Sequence, residues 1–83
     1  MKNFTEIIER RERVTSDAKN VIGLIEGLNA KMQQAIEDAE YGFVQHLAQL
    51  ANDAKLKLTI MLEQNVDYDE ANEIFEAQKE QAA

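Results

Sequence analysis

From Phe4 to Gly42, small or apolar side chains recur at alternating steps of three and four residues, and no proline interrupts them. The row runs Phe4, Ile7, Arg11, Val14, Ala18, Val21, Ile25, Leu28, Met32, Ala35, Ala39, Gly42, with Arg11 its one charged member. That spacing places the row along one side of an α-helix, as at the a and d positions of a heptad. A strand of the same sequence would scatter these side chains over both faces, so the pattern excludes a sheet here. A second row, Ile8, Thr15, Ile22, Asn29, Ile36, Phe43 and Leu50, repeats every seventh residue and widens the seam. Such a wide face suits a multi-helix bundle better than a two-stranded zipper.

The stripe continues, after a small shift of register, through Phe43, Leu47, Leu50, Ala54, Leu58 and Met61. Residues 56–60 alternate apolar and polar, a strand signature in isolation, but no turn residue separates them from the helical run before them. They are therefore read as helix, and that helix is apolar nearly all round and must be covered on two sides. Near residue 67 stands the clearest boundary. Asp67 lies three before Glu70, a capping-box spacing, with Val66 and Ala71 placed for a staple across it. A short helix follows over 68–80, with Asp69, Glu70 and Glu73 at the end where the helix dipole favours acid.

Two readings of the first forty residues compete. Gly27-Leu28-Asn29 offers a glycine to end one helix and an asparagine to cap the next. Against a break there, Glu26 and Lys31 have the wrong signs for the helix ends they would flank, and the heptad runs through. Length matching favours the turn. Helices over 4–26 and 68–80 together equal one over 29–64, so both can fold back along it. The expected fold is thus all-α, an antiparallel bundle of three helices (4–26, 29–64, 68–80), with a continuous rod in a coiled-coil oligomer as the alternative.

At 83 residues the chain forms one domain, 1–83, and a domain this small buries only about 60–65% of the surface its unfolded form exposes. The chain has no cysteine and a single histidine, so neither disulfides nor a structural metal can supplement the core. Self-association is the remaining ordinary means, a dimer being favoured, through Val14, Val21, Ile25, Met32, Leu58 and Met61. The segment from Met1 to Arg11 is charged where a leader would be apolar, and no stretch approaches membrane-spanning length. The expectation is a cytoplasmic protein without a membrane partner.

The net charge of −7 is unevenly spread. Residues 1–62 hold nine acidic and eight basic side chains, whereas 63–83 hold seven acidic ones and only Lys79. That acidic arm would repel phosphate backbones, so direct nucleic-acid binding is not expected and a basic protein surface is the better partner. Within the arm, Tyr68, Asp69, Glu70, Glu73, Ile74, Phe75 and Glu76 interleave carboxylates with apolar anchors and form the candidate partner-binding set.

Few residues suggest chemistry. His46 has no strong metal ligand one helical turn away on either side, and no Glu-x-x-His of the di-metal bundles occurs. Asp67-Tyr68-Asp69 opens like a calcium loop, but Asn72 and Gln78 stand where such a loop needs Gly and Glu, so capping is the better role. Gly23-x-x-x-Gly27 would permit a close helix approach, or mark a helix end. Arg10, Arg11 and Arg13 sit in a mixed-sign run whose ordinary role is surface ion pairing. Arg11, on the seam, requires a buried partner or an anion. No nucleophile–base set or phosphate loop can be assembled, so no enzyme activity and no cofactor are expected. In general character the chain resembles small accessory proteins of bacteriophages and mobile elements, and small helical secretion or assembly chaperones. The leading functional expectation is a self-associating module that masks or modulates a target protein. A structural coiled-coil oligomer or assembly chaperone, and an oligomeric sponge for an anionic small molecule held by Arg10, Arg11 or Arg13, are the alternatives.

Overall fold

The first helix does not turn at Gly27. In the computed structural model, which describes residues 4–82, α1 spans Phe4–Glu37, α2 Tyr41–Gln64 and α3 Tyr68–Ala82. The architecture is the expected three-helix, all-α arrangement, but the break expected at 27–29 lies about eleven residues later, at 38–40. Burial explains the correction. The 3-4 seam continues through this region, burying Leu28 and Ala35 and half-burying Ile25 and Met32. Gly23 and Gly27 face away from it, where an added Cβ would meet nothing within 4 Å, and neither has a positive φ. Each glycine costs a helix interior about 1 kcal/mol, whereas full burial of a leucine side chain contributes about 1.5–3 kcal/mol.

The turn that does form uses Ala39 in the left-handed conformation, φ 58°. The Glu40 amide donates to the Ala35 carbonyl at 2.9 Å and the Ala39 amide to that of Ile36 at 3.1 Å, the paired bonds of a Schellman motif. α2 then starts without a side-chain cap. Its far end stops in a related way, with a better residue. Asn65 takes the left-handed position at φ 54°, and both the Asn65 and Val66 amides are directed at the Met61 carbonyl. Val66 and Met61 are buried in one cluster, the apolar contact that accompanies such a stop.

The N-terminus of α3 is tied down twice. The Glu70 amide donates to Asp67 Oδ1 at 3.0 Å, and the Tyr68 amide donates to Asp17 Oδ2 of α1 at 2.9 Å. Two otherwise orphaned helix amides thereby find carboxylates at the positive end of the dipole. The Glu70 side chain does not close the capping box; it pairs with Arg10 Nη2 at 3.0 Å.

Two clusters form the core. At the open end of the hairpin, Ala18 and Val21 of α1 meet Ala54, Ile60 and Met61 of α2, with Val66, Ala71 and Phe75 closing from the C-terminal side. Nearer the turn, Leu28 packs on Leu47 and Ala51, with Met32 against them. The segment 56–62 is helix, covered on two sides as its composition requires: Leu58, Ile60 and Met61 are taken up, and of its apolar residues only Leu56 and Leu62 remain exposed. α3 lies mainly on α2 and meets α1 at its start, through Asp17 and Arg10. The molecule measures 55 × 29 × 14 Å, with a radius of gyration of 15.7 Å, against about 12 Å for a compact chain of this length.

Candidate interaction surfaces

Along α3, Asp69, Glu73, Glu76 and Glu80 are spaced by four, three and four residues and are all exposed. Helical geometry aligns them into one acidic rail about 16 Å long. The apolar members of the candidate partner-binding set lie elsewhere. Phe75 is buried in the core, Ile74 and Tyr68 are half-buried against it, and Lys57 Nζ lies 5.1 Å from the Phe75 ring and 5.7 Å from that of Tyr68. Lys79 Nζ sits 5.5 Å from the Phe75 ring. These cation–π contacts and the packing beneath them hold the aromatic side of α3 within the bundle. Glu70 is committed to Arg10, which leaves Asp69, Glu73 and Glu76 as the open part of the set.

Arg10 is a clasp. Its Nε donates to the Asn65 carbonyl at 2.9 Å while its Nη2 meets Glu70, joining α1 to the α2–α3 connection. Arg13 borders the same shallow depression as Glu6 and Glu9, so acid lies beside it. Arg11, expected in the seam, is exposed. The reason is length. α2 ends at Gln64, so the first turns of α1 run past it and leave Phe4, Ile7 and Ile8 exposed as well. Among the described residues, Arg10, Arg11 and Arg13 are not brought together on one site: Arg10 holds Glu70 and the Asn65 carbonyl, and Arg13 lies beside Glu6 and Glu9.

The residues chosen for self-association serve mostly within the chain. Val14, Val21 and Met61 are buried, and Ile25, Met32 and Leu58 are half-buried against the two clusters. Of the large apolar side chains that face solvent, Ile8, Ile22, Ile36, Phe43 and Leu50 come from the second heptad row, and Phe4, Ile7, Leu24, Tyr41, Leu56 and Leu62 lie outside it. That row was visible in the sequence; which of two adjacent rows an intramolecular partner would cover was not.

Leu24, Leu28 and Leu50 border a depression of about 220 Å³ that Asp53, Lys57 and Tyr68 also line. Phe43 and Ala35 border the next one towards the turn, together with Lys31, Gln34, Asp38 and Glu40. Since 24 and 31, 28 and 35, and 43 and 50 are each seven apart, they share faces of their helices. The two depressions therefore lie in line along one α1–α2 face, between Tyr68 and the turn, and together mark out a shallow groove with charged residues of both signs along it. His46 lies beside it, exposed, its ring stacked on Phe43 at 6.5 Å.

A groove of about 480 Å³ between α2 and α3 is lined by Leu56, Asn52, Asp53 and Lys79, with Phe75 at its base. Among the described residues, no three His, Cys, Asp or Glu side chains come together to hold a metal, and no helix is long and apolar enough to cross a membrane. Compared with known proteins, the chain matches no family model, no curated protein and no solved structure.

Proposed function

We propose that the chain is a non-enzymatic protein-binding module that self-associates through its hairpin and presents α3 to a basic surface of a target protein, which it masks or modulates. The observation that carries this reading is the division of its surface. Residues 1–62 carry almost balanced charge and expose many large apolar side chains, while α3 exposes a rail of acid. Apolar surface of this extent on a small chain marks interaction sites, and a one-signed rail steers and selects a partner of opposite charge. A reducing, cytoplasmic setting suits a chain without cysteine. The purely structural alternative, an oligomeric scaffold or assembly chaperone, shares the first half of this reading and differs over the rail.

One experiment separates the two. Tagged wild-type protein and an Asp69→Lys/Glu73→Lys/Glu76→Lys variant, both checked for helicity by circular dichroism, are each used to retain proteins from an extract of the native host. The proposal expects a basic protein held by the wild type, released by raised salt, and absent from the variant. Equal retention by both proteins would remove the rail from the function.

A further inference from the structure

We infer that the groove between α1 and α2 beyond α3 is covered by the same groove of a second copy, arranged antiparallel, so that the dimer carries its two acidic helices at opposite ends. This rests on the self-association proposed above and goes further by naming the face, the occupant and the direction.

Area is the first argument. A compact monomer of 9.5 kDa exposes about 5,000 Å². This chain exposes 6164 Å², roughly 1,100 Å² too much for a compact monomer, and a stable interface buries about 800 Å² per partner. The surplus is thus what a dimer needs. The groove is where a partner fits, because its floor of Leu28 and Ala35 is already apolar, Leu24, Phe43 and Leu50 along it are 51%, 47% and 42% exposed, and the charged side chains that also line it, Lys31, Asp38, Glu40, Asp53 and Lys57, are of both signs. A two-layer helical stack is the ordinary way to bury such a face.

Charge and shape choose a second copy and its direction. The hairpin is nearly neutral, so a copy of it is not repelled, whereas residues 63–83 carry seven acidic side chains against one basic. A parallel pairing would set two such arms side by side and drive α3 into α3. An antiparallel pairing puts each α3 beyond the turn of the other copy, and the step where α3 stops at Tyr68 sets the register. Phe43 of each copy then lies against Leu50 of the other, which brings position 46 of both copies close to the two-fold axis. The product is bivalent, with two acidic rails held at a fixed separation, and a target displaying two basic patches at that spacing gains avidity.

The full-length chain can be tested by analytical ultracentrifugation over a wide concentration range. The wild type is expected at twice the monomer mass. Leu24→Lys and Leu50→Lys, at positions exposed in the monomer, should keep their helicity and raise the dissociation constant at least about 30-fold, as loss of a central anchor does. Ile22→Lys and Ile36→Lys act as controls, since Ile22 lies about 160° round α1 from Leu24, and they should leave the constant within about threefold. Because the chain lacks cysteine, His46→Cys should be joined to its copy by a short bismaleimide, and Gln33→Cys, on the far side of α1, should not. A dimer that survives the Leu24 and Leu50 changes but dissociates on the Ile22 and Ile36 changes would overturn this face while leaving self-association standing. A wild-type chain that stays monomeric at every concentration would overturn both.

Discussion

Replacing Gly27 by alanine tests the most consequential feature of the fold, the continuity of α1 through a glycine-asparagine turn signal. The magnitude follows from three observations: position 27 is inside the helix, its φ is not positive, and an added methyl meets no atom within 4 Å. No steric or left-handed penalty offsets the gain, so the full propensity difference of about 0.8–1.0 kcal/mol should appear as stability. For a domain of this size 1 kcal/mol raises Tm by about 4–8 °C. Gly23 satisfies the same conditions, and intrinsic propensities sum along a helix, so Gly23→Ala/Gly27→Ala should reach roughly 2 kcal/mol. Urea denaturation followed by circular dichroism measures this directly. It must be run at one protein concentration, because association adds its own stability, and an unchanged m-value would show that the same surface unfolds. A fall in stability at Gly27→Ala would refute the reasoning. Alanine loses only where the backbone is left-handed, which would mean that α1 is broken at that point, or where another helix packs against the glycine face, which would mean that this face is not open.

Three further perturbations probe the elements that position α3 and the turn. Ala39→Gly should stabilise the chain by up to about 1 kcal/mol in the same denaturation assay, because alanine is strained at φ 58° and glycine is not; a loss would place the turn elsewhere. Asp67→Ala removes the carboxylate that accepts the Glu70 amide and should cost about 0.5–2 kcal/mol, seen in hydrogen exchange as lost protection confined to the start of α3, and unchanged protection would show that Asp17 caps the helix alone. Met61 is fully buried between the helices, so Met61→Ala should cost about 2–5 kcal/mol, enough to unfold much of so small a chain at room temperature. A well-folded Met61→Ala protein would show that the cluster at the open end collapses to fill the space.

Periodicity by itself determined that the chain is helical, and the boundary near residue 67 was legible because each residue there has one strong local role. Asp67 caps, and Val66 and Ala71 bracket the cap; both effects act within one helical turn. The position of the hairpin was not legible, because its physical cause is not local. Ala39 carries no turn signal, and Gly27 and Asn29 carry a false one, since a glycine in a helix interior costs less than the burial gained by extending the seam through Leu28 and Ala35. The same limit governs the surfaces. Two apolar rows lie side by side on α1, and nothing in their spacing says which one α2 will cover; packing buried Val14, Val21 and Leu28 and left Ile8, Ile22 and Ile36 outside. The acidity of the C-terminal arm was plain from its residues. That its aromatic side is held down by Lys57, Lys79 and the core, leaving a rail of acid alone, depended on contacts between helices distant in sequence, which only the tertiary structure decides.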